Sequence, residues 1–322
     1  MSSTDESATT VNDIVNSSSG VAVAVGPASS AGQGNVARDE SAAIVRTTLR
    51  FFANELRVTF FRRRNQLLLL VAALFPLLIG IGLKLSTPHG GGGRGPGASG
   101  AAYFSQLAGN GVFLTFVALS LLLILVLPVV VGVVSGDSIA GEAGYGTLRY
   151  LLAVPAGRTR LLAVKYAAIV VWAVAATFTV SVIALLIGVA LFGAGPVTLL
   201  SGTTVSLADG LVHVLWVTLY VCAAMAAFGA IALAISTFTE HSIGAIAAAL
   251  MIVVASEVVD NIPQFAPVAP YFPTHWWLSF DSLLRTPIDA TTLWHGLLSF
   301  AVYAAVFLSV AWARFTSADV TS

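Results

Sequence analysis

Six long apolar segments constrain this chain more than any other feature. They lie at about 66–86, 112–135, 165–192, 211–236, 241–260 and 293–313. Each approaches the ~20 residues that an α-helix needs to cross the hydrocarbon core of a bilayer. In lipid every backbone polar group must be satisfied internally, so only helices and closed barrels can span. None of the segments alternates polar and apolar residues as a barrel strand does. The expected fold is therefore an all-α membrane protein, with a six-span domain over residues 66–322. Composition agrees: 57% of the 322 residues are hydrophobic and 9% charged, against roughly 25% charged in soluble domains. A net charge of zero gives no reason to expect nucleic acid as a partner. Gly, Ala, Ser and Thr occur throughout the segments, as at Ala223–Ala234, and predict close helix packing. Pro76 and Pro128 predict kinks in the first two spans.

The cations set the orientation. With both termini cytoplasmic, Lys84, Arg94 and Arg285 are the only ones of the fifteen at the outer side. The opposite orientation inverts the bias expected for inner loops. Residues 1–41 are rich in Ser, Ala, Gly and Thr and read as a disordered cytoplasmic tail. They lack the basic region and apolar core of a secretory signal. Residues 42–65 change character. Leu49, Phe52, Leu56 and Phe60 recur on one helical face, with Arg46, Arg50, Arg57 and Arg62-Arg63-Arg64 around it. This pattern predicts an amphipathic helix in the headgroup layer, in preference to a polar extension of the first span.

Of the outer loops, 87–110 holds the Gly-rich run GGGGRGPG and reads as a flexible linker. Residues 261–292 carry Pro263, Pro267, Pro270 and Pro273, which exclude a long helix. They read either as one or two short re-entrant or interfacial helices or as a plain loop, with Trp276 and Trp277 as interfacial anchors.

Signs of covalent chemistry are missing. His89, His213, His241, His275 and His295 are scattered, with no metal-ligand spacing, and Cys222 is the single cysteine. There is no Walker-type loop. His213 reads as a packing residue. Glu257 and Asp260 share a helix face near the outer end of the fifth span. They read as a solvated helix end, with a cation-sensitive site as the alternative. Ion-coupled carriers place carboxylates deeper, because ionisable groups inside a membrane mark the transport path.

The longest polar interruption is GDSIAGEAGYGTLRYLLAVPAGRTRLLAVKY, from Gly136 to Tyr166. Leu148, Leu151 and Leu152 predict a short amphipathic helix starting near Gly146 or Thr147, and Pro155 should end it. Arg158, Arg160 and Lys165 follow at the inner headgroup level.

The succession G-D-S-I-A-G-E, G-T-L-R-Y-L-L, P, R-x-R-L-L, K resembles the loop between the second and third spans of the ABC-2 type transporter permeases. The layout over residues 42–322 is similar as well: an N-terminal interfacial helix, six spans, and a re-entrant hairpin before the last. The resemblance implies the non-catalytic membrane subunit of an ATP-binding-cassette exporter in the cell membrane. A separate ATPase subunit, carrying ATP and Mg, would dock on the inner face, and this chain would bind no cofactor itself. Asp137, Glu142, Gly146, Thr147, Leu148 and Arg149 would then form the coupling loop, with Pro155, Arg158 and Lys165 at its end. Arg50, Glu55 and Arg57 of the N-terminal helix would lie beside it. A second permease copy, or a related one, would complete the path. The short Gly-rich outer loop departs from members that carry a large extracellular domain. Permeases of ion-efflux or metal-centre-maturation systems fit the same pattern, and no segment identifies the substrate. An ion-coupled secondary transporter lacks the deep charges it needs, and a membrane enzyme lacks a clustered polar site outside the loop.

Overall fold

The computed structural model describes residues 30–86, 110–144, 157–198, 201–285 and 287–317, with side chains from residue 45 onward in the first helix. By its contacts the chain divides into residues 1–47, whose described part is the start of the first helix, and residues 48–322.

Helix α1 runs Ser30–Phe61 and α2 Arg63–Ser86. Residues 30–41, expected to be tail, are therefore helical. The break between the two helices has a visible cause. Asn65 turns its amide back to donate to the Thr59 carbonyl at 2.7 Å, and the Asn65 and Gln66 N–H groups start a new helix on the Arg62 carbonyl. Asn65 is buried, so this cap is sheltered from competing water.

The second span is broken. α3 covers Phe113–Ile124 and α4 Val126–Gly144. Pro128 has no N–H for the Ile124 carbonyl and its ring crowds that carbonyl, so the helix parts at Leu125. Pro76 has no such effect, and α2 is continuous through it. Past the break α4 continues to Gly144 and so absorbs the first part of the polar stretch.

α5 (Arg158–Phe192) also begins earlier than its apolar core, two turns before Lys165. A two-residue antiparallel ladder, Val197↔Val205 and Thr198↔Thr204, leads into α6 (Leu207–Ser236). Ser206 caps α6, accepting from the Asp209 N–H at 3.2 Å while its hydroxyl donates to the Asp209 carboxylate. α7 (Ser242–Asp260) follows after a short turn, then three 3-10 turns at Pro263–Phe265, Ala269–Tyr271 and Trp277–Leu284, then α8 (Ala290–Ser317). Six helices, α2, α4, α5, α6, α7 and α8, are long and apolar enough to cross a membrane.

α6 is the hub of the bundle, packing on α4, α5, α7 and α8. In its most apolar stretch 78% of residues are buried, against 17% in α2 and in α8. Those two helices present Leu67, Leu70, Leu78, Val302 and Val306 outward, where lipid or another apolar surface must cover them. At the core, Trp172 is fully buried and donates from Nε1 to the Val130 carbonyl at 3.0 Å. Phe60 meets its ring edge-on at 5.3 Å. The small residues do what their frequency suggested. A Cβ on Gly188 of α5 would lie 1.9 Å from the Gly111 carbonyl oxygen, so only glycine permits this contact.

Candidate functional site

The start of α2, the carboxyl ends of α4, α6 and α8, and the amino ends of α5 and α7 meet at one end of the bundle. Three acids and three bases are paired there.

Asp137 lies one turn before the end of α4's buried face, with its side chain 9% exposed. Its Oδ2 accepts from Arg62 Nη1 at 2.7 Å and from Arg64 Nη2 at 2.8 Å, so the helix break at Arg62 is tied directly to α4. Gly141 makes room for this carboxylate: a Cβ there would sit 2.5 Å from Asp137 Oδ1. Glu142 lies one turn further on. Lys165 of α5 donates to Glu142 Oε1 at 2.7 Å and to Glu55 Oε1 of α1 at 3.1 Å. The Lys165 side chain is 1% exposed. A buried ammonium costs several kcal/mol in lost hydration unless partners replace the water, and here two carboxylates supply that replacement. The Arg–Asp137 pairs hold the arginines about half exposed and are individually weaker, roughly 0–1 kcal/mol.

The six side chains line one cavity of about 370 Å³, with Phe51, Thr59 and Ile169 among the other residues of its walls. Their formal charges sum to zero, three acids against three bases. The geometry of the cluster suits mechanics. Lys165 is a junction between α1, α4 and α5, and Asp137 between α4 and the α1–α2 break. Ser236, fully buried at the end of α6, strengthens the frame by accepting from the Ile139 and Ala140 N–H groups at 3.0 and 2.8 Å.

Of the residues singled out from sequence, Asp137, Glu142, Lys165 and Glu55 come together. Arg158 does not join them. It donates to the Thr316 carbonyl at 2.8 Å and holds the last turn of α8, where a helix C-terminus favours a cation. Arg50 and Arg57 stand exposed on α1. Gly146, Thr147, Leu148, Arg149 and Pro155, and with them the expected short coupling helix, lie outside the described residues. Asn65 and Ser236 were missed. A single buried amide and a single buried hydroxyl carry no periodic signal; the one hint was a polar residue at the edge of an apolar run.

At the opposite end the expectations for the tryptophans divide. Trp276 is partly buried, donates from Nε1 to the Pro270 carbonyl at 3.0 Å and stacks on His295 at 5.7 Å. Trp277 is 3% exposed and packs edge-on against Phe228 of α6. A ring enclosed by protein has no surface left for headgroups, so the anchor reading of Trp277 is corrected to a core residue. The segment around them is a set of short 3-10 turns. Asp260 is not simply a solvated helix end: it pairs with His275, while Ser256 and Thr274 bond each other at 2.7 Å below. His213 bonds the Asp209 carbonyl of its own helix at 2.8 Å.

The sequence profile described as ABC-2 family transporter protein matches residues 61–256. That interval opens at the α1–α2 break, closes near the end of α7, and holds five of the six charges of the cluster. No curated protein matches the chain.

Proposed function

The chain belongs to the ABC-2 family of transporter proteins, as a multi-pass membrane subunit of an ABC transporter, and from that premise we propose that it is an export permease driven by a separate ATPase chain. The ATPase docks at the charged end, which faces the cytoplasm together with both termini in the cell membrane. The supporting observation is Lys165, buried between Glu55 of α1 and Glu142 of α4. A push on the segment joining α4 to α5 reaches α1 through this junction and reaches the α1–α2 break through Asp137. Helix packing at this end is thereby converted from separate contacts into one linked unit. ATP and Mg belong to the partner subunit. A second permease, identical or related, faces the poorly buried helices and completes the path.

The charge distribution supports this reading over an ion-coupled carrier. Asp209, Glu142, Glu257 and Asp260 lie in the terminal turns of their helices, and Asp137, nearer the middle of α4, is paired with Arg62 and Arg64. The test uses the full chain, tagged and captured from its native membrane. An ATP-hydrolysing subunit should accompany it, and inverted membrane vesicles should take up substrate only with ATP. The Glu55→Gln/Glu142→Gln variant should insert and still bind the ATPase, yet lose most ATP-driven uptake. Uptake that survives ATP depletion, with no ATPase captured, would overturn the proposal.

A further inference from the structure

Two N–H groups well inside α4 point at a side chain from another helix. Ile139 and Ala140 both donate to Ser236 Oγ, at 3.0 and 2.8 Å, and Ser236 is the fully buried last residue of α6. In an unbroken α-helix these hydrogens go to the carbonyls four residues back, here those of Ser135 and Gly136. A side-chain oxygen placed against such N–H groups is the arrangement at a helix start, where a cap serves the first turn. α4 stays helical from Val126 to Gly144, so the feature is a seam in its hydrogen-bond ladder and not a turn. Three local features agree. Gly136, Asp137 and Ser138 are consecutive residues of low helix propensity, and Asp and Ser favour helix starts over interiors. Ser135 donates from Oγ to the Val131 carbonyl at 2.8 Å, a back-bond that bends helices. Gly136 has no side chain where α7 crosses: a Cβ there would lie 3.1 Å from the Ile246 backbone nitrogen.

We propose that Ser236 pins a joint in α4 at Gly136–Ser138, about which residues 139–144 swing as a unit. The two sides of the joint are held differently. Before it, Trp172 donates to the Val130 carbonyl and Phe228 of α6 packs on Gly132, where a Cβ would lie 3.4 Å from the ring. Beyond it, Glu142 is held through the long side chain of Lys165 at 2.7 Å. Asp137 sits at the joint, where displacement is smallest, so its tie to Arg62 and Arg64 survives a small rotation. A hydroxyl oxygen accepts through two lone pairs over a range of directions, so Ser236 keeps both N–H groups satisfied as the turns beyond it move. Without it a seam at this depth would bury two unpaired donors. Ser236 touches neither nucleotide nor cargo; it is a positioning residue that acts through α4. That the swing serves transport rests on the ATPase-driven reading, whereas the joint itself does not.

Hydrogen exchange, read residue by residue in the full-length chain in lipid nanodiscs, tests the joint. In the wild-type chain residues 139–144 should share one protection level, separated by a step of roughly tenfold from residues 130–135. A gradual decline toward Gly144 would be ordinary fraying and would overturn the joint. Ser236→Ala should speed exchange at Ile139 and Ala140 by roughly tenfold, the effect of losing a buried hydrogen-bond partner, and leave residues 126–134 unchanged. Ser236→Thr keeps the hydroxyl and should restore slow exchange. Unchanged exchange at Ile139 and Ala140 in Ser236→Ala would mean that α4's own carbonyls hold them, and the inference would fall. If Ser236→Ala does not fold, the wild-type step still decides. A second arm adds ATP to the chain with its captured ATPase. Exchange should then shift over residues 139–144 and not over 126–135 in the wild type, and over neither in Ser236→Ala. A shift spread evenly along α4 would remove the joint from coupling. Failure to capture any ATPase would sink the transport reading alone, because the first arm is measured without one.

Discussion

The two ends of the bundle hold their helices together by different means. At the charged end the ties are long side chains: Lys165 reaching Glu55 and Glu142, Arg62 and Arg64 reaching Asp137. At the opposite end they are backbone contacts and rings. Gly111 and Gly188 touch directly, the Gly111 N–H donates to the Gly193 carbonyl at 3.1 Å, and Tyr220 donates to the Trp276 carbonyl at 2.8 Å. Long ion pairs tolerate an ångström of movement and can exchange partners. A glycine contact at van der Waals distance tolerates none. The difference suits a lever, in which one end would pivot on close packing while the other shifted through side chains that re-pair.

If this contrast is right, the pivot should be the more fragile end. Gly188→Val places a methine carbon 1.9 Å from the Gly111 carbonyl oxygen. The cost should reach about 3 kcal/mol, the upper end of overpacking penalties, because backbone atoms must move. The expected result is a sharp fall in Tm and loss of the monodisperse species on size exclusion. Gly82→Ala is the control. A Cβ there meets nothing within 4 Å, so Tm should not fall. Equal losses in both variants would remove the pivot.

The charged end should respond in a graded way. Glu55→Gln/Glu142→Gln leaves the Lys165 ammonium buried without a counter-charge, at a cost of about 3 kcal/mol. Each single variant leaves one carboxylate in place and should cost about 1 kcal/mol. Thermal unfolding of the four proteins gives the coupling directly. Additive single effects would show that Lys165 is not a shared junction. Next in size comes Asp137→Asn. It frees two half-exposed arginines and should lower stability by about 1 kcal/mol or less. A spectroscopic distance between labels on α1 and α4 should broaden in this variant, while one between α5 and α6 near Gly188 stays fixed.

Sequence reading reached the spans because each is a long run of one character, and such runs survive any detail of packing. It reached Asp137, Glu142 and Lys165 because they match the family's loop between the second and third spans, and Glu55 because the resemblance puts the N-terminal helix beside that loop. What it could not supply was their pairing. Glu55 and Lys165 are 110 positions apart, and nothing local in either neighbourhood points to the other. The break at Leu125 was partly legible through Pro128, whereas Pro76 carried the same signal and left its helix intact. The two prolines differ only in surroundings that sequence does not show. Trp277 was misread for a related reason: Trp276 and Trp277 are adjacent and chemically identical, and only the 3-10 turn decides which ring goes inward.

The smallest expected effect sharpens the description of the rigid end. Asp289 precedes α8, and its Oδ1 accepts from the Thr291 and Thr292 N–H groups at 3.1 and 3.3 Å. Its carboxyl is held below the usual aspartate range, first by the hydrogen bond from the Thr292 hydroxyl and then by these N–H groups. A depressed folded-state pKa means the stabilisation is present above the ordinary value of 3.8 and disappears as pH falls through the lower folded value. Hydrogen exchange at the first turn of α8, corrected for intrinsic rates, should therefore be constant from pH 7 to 5. Protection should drop below about pH 3.8 in the wild-type chain but not in Asp289→Ala, which should lack it throughout. Identical profiles would mean that the start of α8 is held by its packing against α6, with Gly296 close to Tyr220, and not by its cap. That outcome would strengthen the contrast between the ends, since even a surface turn at the pivot would then owe its order to close contact.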